Sequence, residues 1–192
     1  MTWTLKAYAN GETRDQIQDD ITGLGPASAI TSAAVVTPKN GARYVHMPFG
    51  TASQDCAVRC PTPGPTDLFL AFSMWLQLST DPTIEIPLIS HDSSSGSDVP
   101  VVTIGTDRRI YVYDRALSAS SPRIIGISAS PVSKTTWTEV VVIHSYENVD
   151  VSTGGFVYVL IDNVLEVMVP TNWANIQPML GGPSDAGAGG NG

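Results

Sequence analysis

Carboxylates, imidazoles and thiols are the side chains of this sequence that could carry chemistry, and their spacing limits what they can do. Cleaving a glycosidic bond takes two carboxyl groups about 5–9.5 Å apart, one as acid and one as nucleophile or base. Glu85 stands alone, Glu139 has no carboxylate two residues to either side, and Asp162 and Glu166 flank a turn. The three histidines, His46, His91 and His144, lie in unrelated contexts, and no G-x-S-x-G stretch offers a nucleophile. His144 ends an apolar run and is expected to be a hydrogen-bonded structural residue. Neither a P-loop nor a dinucleotide fingerprint is present. The expectation is a protein that is not an enzyme, with no catalytic residue to name.

Candidates for binding are few. Asp92-Ser93-Ser94-Ser95-Gly96-Ser97-Asp98 places oxygen ligands at alternating positions, the one local pattern open to calcium. A solvated Ser-rich turn explains the same residues, and on that reading no metal and no cofactor is expected. Trp75 shares one face of an alternating segment with polar residues, where an exposed aromatic is a candidate for contact with a partner. Asp92, Asp98 and Trp75 together form the candidate ligand-binding rim. Cys56 and Cys60 are spaced C-x-x-x-C in a Pro-rich stretch; free thiols and a local disulfide both fit, whereas zinc would need more ligands than the neighbourhood supplies.

A net charge of −8 and a pI near 4.6 argue against a phosphate backbone or an anionic membrane as the main partner, since either calls for clustered Lys and Arg. No nucleic acid and no membrane is expected. Residues 1–10 hold one Lys and no apolar h-region, so no secretory signal is expected either. No uninterrupted apolar segment approaches the roughly 20 residues of a membrane span.

The elements that must position these residues read as short strands. Seventeen Gly and fourteen Pro punctuate apolar runs in a chain of 192 residues that is 42% hydrophobic, enough for one β-sandwich over residues 1–185 with a Gly-rich tail at 186–192. The organising stretch is residues 137–169. Its runs at 156–161 and 164–169 meet at Asp162-Asn163, a dipeptide suited to the positive φ of a two-residue hairpin turn. Residues 140–143 and 157–161 are apolar on both parities and are expected to be covered on both faces.

Residues 68–78 alternate most cleanly, with Leu68, Leu70, Phe72, Met74, Leu76 and Leu78 on one side. Burying six such side chains contributes about 10 kcal/mol before entropy is subtracted. A second hairpin is expected around Gly105-Thr106-Asp107, and strands flank residues 38–41. Pro87 places the strand at 84–90 near an edge or a bulge, and residues 50–66 are expected not to form a central strand. Residues 2–8 alternate Trp3, Leu5 and Ala7 against Thr4, Lys6 and Tyr8, the pattern of a half-buried edge strand, and residues 15–21 suit a short helical turn.

The order of these segments resembles the laminin-G-like, concanavalin A-like jelly-roll superfamily over about residues 30–182. The resemblance is carried by Asn40-Gly41-Ala42-Arg43-Tyr44-Val45, Leu70-Ala71-Phe72-Ser73-Met74-Trp75-Leu76, Leu88-Ile89-Ser90, Trp137-Thr138-Glu139-Val140, Tyr158-Val159-Leu160-Ile161-Asp162-Asn163-Val164-Leu165 and Leu180-Gly181-Gly182. Asn163 stands where the family usually has Gly, and the family's strand after the Gly-Gly segment is missing. The resemblance implies an all-β fold, a two-sheet antiparallel jelly-roll sandwich. Laminarinase-like enzymes of that fold carry an E-x-D-x-E strand, which this sequence lacks.

By analogy of fold, a lectin-like sandwich without a secretion signal resembles the accessory proteins of bacteriophage particles, made in the host cytoplasm. The expectation is a virion protein, a capsid decoration or tail-associated component, with copies of itself or capsid and tail neighbours as partners. The alternative is a carbohydrate-binding adhesin that recognises a host surface glycan.

Overall fold

The computed structural model describes residues 30–31, 34–39, 42–46, 56–59, 69–78, 80–91, 99–114, 123–146, 154–174, 176 and 178–182. Every regular element among them is a strand, numbered in chain order: β1 (Ile30–Thr31), β2 (Ala34–Lys39), β3 (Ala42–His46), β4 (Cys56–Arg59), β5 (Phe69–Leu76), β6 (Ile86–His91) and β7 (Val99–Ile104). They continue with β8 (Arg109–Tyr113), β9 (Ile124–Pro131), β10 (Thr138–Ser145), β11 (Gly155–Ile161), β12 (Val164–Thr171) and β13 (Pro178–Gly182). A seven-stranded sheet runs β1-β4-β13-β6-β7-β8-β9, a four-stranded sheet runs β12-β11-β10-β5, and β2 pairs with β3 alone. All pairings are antiparallel. The late strand β13 is inserted between β4 and β6. This is the all-β, two-sheet antiparallel sandwich of jelly-roll type that the sequence leads one to expect.

The core lies between the two sheets. Val140 and Val142 of β10 and Val157 and Val159 of β11 belong to one buried apolar cluster with Val102, Ile104, Ile110 and Val112 of the larger sheet. In β5 the alternation holds: Phe72 is buried, and Leu70, Met74, Leu76 and Leu78 pack against the core, while Ala71, Ser73 and Trp75 face out. At the other side of the sandwich β12 lies against β9. Gly126 of β9 makes that approach possible, because a Cβ there would meet the side chains of Val167 and Val169.

Both expected hairpins form. Asp162 and Asn163 each have positive φ, 48° and 67°, which matches the right-handed twist of β11 and β12. The turn is anchored on β10, where the Asp162 amide donates to the Glu139 carbonyl and the Asp162 Oδ1 accepts from the Glu139 amide, both at 2.9 Å. The β7–β8 turn closes at Gly105 and Arg108.

Of the two alternatives for Pro87, an edge or a bulge, the bulge holds: Pro87 lies in β6, inside the sheet, and the register shifts beside it. Two expectations change. Cys56–Arg59 is a strand paired on both sides, by β1 and β13, because those four residues hold neither Pro nor Gly. Burial on both parities falls on β6 and β7, whereas Val141, Ile143, Tyr158 and Leu160 keep partly exposed side chains. The expected strand at residues 2–8, the helical turn at 15–21 and the tail at 186–192 lie outside the described residues.

Candidate interaction face

The outward residues of the four-stranded sheet form one surface. Antiparallel pairing sets side chains that face each other on the same side of a sheet. Trp75 is opposite Glu139, Ser73 opposite Val141, and Ala71 opposite Ile143. Across the next two pairings Val141 is opposite Leu160, Ile143 opposite Tyr158, Leu160 opposite Leu165 and Tyr158 opposite Met168. Trp75 is 60% exposed, Leu165 53% and Met168 57%. The described outward groups are therefore mostly aliphatic or aromatic across all four strands. Glu139 is the charged one among those pairs, and its carboxylate accepts from the Ser73 hydroxyl at 3.2 Å.

The edges of this surface differ. On β12 the register shift opposite Leu160 makes Glu166 the extra residue of a bulge. Its carboxylate reaches across to β9 and accepts from the Ala129 amide (2.8 Å), the Ser130 amide (3.2 Å) and the Ser130 hydroxyl (2.6 Å). The Ser130 hydroxyl is the main reason the Glu166 carboxyl is held below its ordinary range. Thus the carboxylate read as flanking a turn is a clamp between the sheets.

Of the candidate rim, Trp75 stands exposed on the sheet face, and Asp92 and Asp98 lie outside the described residues. Among the described residues no group of three or more His, Cys, Asp or Glu could hold a metal ion. No helix of the described residues is long and apolar enough to cross a membrane.

Glu85, solitary in sequence, is not solitary in space. The Tyr113 hydroxyl donates to both of its carboxylate oxygens, at 2.7 and 2.8 Å, and the Thr103 hydroxyl donates at 3.2 Å. Burial, then the Glu85 carboxylate, raises the Tyr113 phenol above its ordinary range. The group ties the loop before β6 to β7 and β8. Tyr113 also offers its carbonyl to the indole N–H of Trp173 at 2.7 Å.

His144 faces inward and is fully buried, with Tyr146 and Trp173 rings 4.2 and 5.2 Å from its own. Its Nε2 lies 3.5 Å from the Thr171 hydroxyl, and its Nδ1 has no partner. Desolvation lowers its pKa from 6.5 to about 4, so it is neutral near pH 7. The expected structural histidine is there, half satisfied.

Comparison with known proteins adds little to this geometry. No family model matches the sequence, and no curated protein matches it. Among solved structures the fold is similar to that of β-agarase A from Zobellia galactanivorans, with a TM-score of 0.40 and 8% identity over 79% of this chain and 60% of that one. This chain thus spans less than two thirds of the agarase, and likeness at that level carries nothing about activity.

Proposed function

We propose that this chain is a non-catalytic assembly module, a structural component of a bacteriophage virion in the capsid-decoration or tail-associated class. It attaches to neighbouring virion proteins through the outer face of the four-stranded sheet. The observation that supports attachment is that face: side chains such as Val141, Ile143, Leu160, Leu165 and Met168 stand outward on adjacent strands. Contiguous apolar patches beyond about a few hundred Å2 are rare on monomers and mark interaction sites. Aliphatic groups offer sugar hydroxyls nothing to bond, so this composition favours a protein partner. The choice of a virion rests on analogy of fold.

The test is incorporation. Leu165→Lys combined with Met168→Lys changes two exposed positions and is expected to leave unfolding free energy within about 1 kcal/mol of the parent. The same variant is expected to be absent from purified particles when it replaces the parent chain. Normal incorporation would overturn the reading.

One observation favours a second reading, a carbohydrate-binding module. Trp75 stands beside Glu139 and Ser73, an exposed ring next to hydrogen-bonding groups. On that reading Trp75→Ala abolishes binding on a glycan array while particle incorporation is unchanged.

A further inference from the structure

The four strands of the smaller sheet read FLAFSMWL, TEVVVIHS, GFVYVLI and VLEVMVPT, with no Lys and no Arg. Their acids are Glu139 and Glu166, and Glu166 is engaged by β9. Glu139 differs. It stands outward at the margin of the apolar field, directly opposite Trp75, and side chains so opposed have Cβ atoms about 4.5–5.5 Å apart. Among the described residues its carboxylate takes one hydrogen bond, from the Ser73 hydroxyl at 3.2 Å, which leaves room for a two-pronged donor. Trp75 beside it is 60% exposed.

These residues decide what can cover the face. Four strands of about eight residues span about 19 by 26 Å, so this face and a partner's together bury about 1,000 Å2, the lower limit of a specific interface. Aliphatic contact of that size selects weakly among apolar surfaces, and a directional contact at the margin must supply the choice. A carboxylate covered without a cation loses its hydration and gains nothing in return. A second copy brings no cation on these strands and a further net charge of −8. Two such faces stacked together would leave both Glu139 carboxylates uncompensated.

We propose that the face is covered by a different protein, one with an apolar surface and an arginine at its margin, whose guanidinium stacks on Trp75 and pairs with Glu139. Both residues favour a guanidinium. It is planar and weakly hydrated, meets a carboxylate with two parallel N–H bonds and lies flat on an aromatic ring, whereas an ammonium is a strongly hydrated point charge. Tryptophan is the best of the aromatic rings for holding a cation. Arginine and tryptophan are also among the side chains that most often dominate interface energetics. The proposal rests on the attachment reading above and adds to it the chemistry of the partner.

In solution the NMR signal of the Trp75 indole N–H, identified by its loss in Trp75→Leu, reports on this corner. The full chain is titrated with N-acetyl-arginine amide, N-acetyl-lysine amide and the uncharged N-acetyl-citrulline amide at equal ionic strength. The arginine compound is expected to move the signal and to bind at least about threefold more tightly than the lysine compound, with no response in Glu139→Gln. An equal response to citrulline, or an unchanged response in Glu139→Gln, would overturn the proposal. A glycan that moves the signal where arginine does not would give the corner to the carbohydrate reading. A parent chain that dimerises in sedimentation with this signal shifted would give the face to a second copy. In particles, Glu139→Gln and Trp75→Leu are each expected to lower incorporation at least about tenfold. Parental incorporation of both, with the Leu165→Lys and Met168→Lys double variant absent, keeps the attachment and removes the arginine. Normal entry of the double lysine variant removes the attachment itself, and the arginine proposal with it.

Discussion

At the scale of single residues, two buried or bridging side chains set how the sandwich responds to pH and to mutation. His144 is neutral in the folded protein because desolvation depresses its pKa from 6.5 to about 4. Below pH 6.5 the unfolded chain takes up the proton that the fold refuses. The stability His144 contributes is therefore complete above pH 6.5 and is lost as pH falls through about 4. The loss attributable to it is about 3 kcal/mol, from roughly 1.4 kcal/mol per pKa unit. Denaturant titrations at pH 7 and pH 4 should show this part of the acid loss in the parent and not in His144→Leu. Glu166 acts in the same direction, since its clamp needs the carboxylate and is lost as acid protonates it. Glu166→Ala leaves two backbone amides of β9 to water and is expected to cost about 1–2 kcal/mol at pH 7, read as a lower denaturant midpoint.

At the scale of elements, the β11–β12 hairpin and the β9–β12 contact are where local sequence and packing meet. Both turn residues have positive φ, a region in which Gly is less strained than Asn. Asn163→Gly is expected to stabilise the protein by about 0.5 kcal/mol. Asp162→Ala removes the acceptor of the Glu139 amide as well as a turn former, and should cost about 1–2 kcal/mol. Gly126→Val tests the other element: its side chain would occupy the space of Val167 and Val169, so β9 and β12 must separate at a cost of about 2 kcal/mol. Thermal unfolding of the three variants measures these differences, and the opposite signs at positions 162 and 163 separate turn geometry from hydrogen bonding.

At the scale of the whole molecule, the two sheets are finished differently. Along one side β12 packs against β9, and the larger sheet has seven strands to the smaller sheet's four. One outer face of the sandwich is left apolar, with Leu165, Met168 and Trp75 exposed. Burying such a face stabilises an interface at roughly 25 cal/mol per Å2, and introducing charge there removes that gain with little effect on folding.

The sequence by itself determined most of the described strands, two of their hairpin turns and which parity of β5 faces the core, because each is set by neighbours within a few residues; the strand at Cys56–Arg59 it did not show. Asp162-Asn163 and the alternation from Leu70 to Leu78 are cases where local physics suffices. Pro87 was legible as an irregularity, though not as part of a central strand, since position in a sheet is decided by partners far along the chain. The same holds for function. Glu85 is joined to Tyr113 across 28 positions and Glu166 to Ala129 across 37, distances over which no spacing rule operates. The apolar run of residues 140–143 looked like a strand buried on both sides, and only the assembled sandwich left one of those sides facing water. A strand's composition fixes how much apolar surface it carries; the packing of distant segments decides which of it is covered.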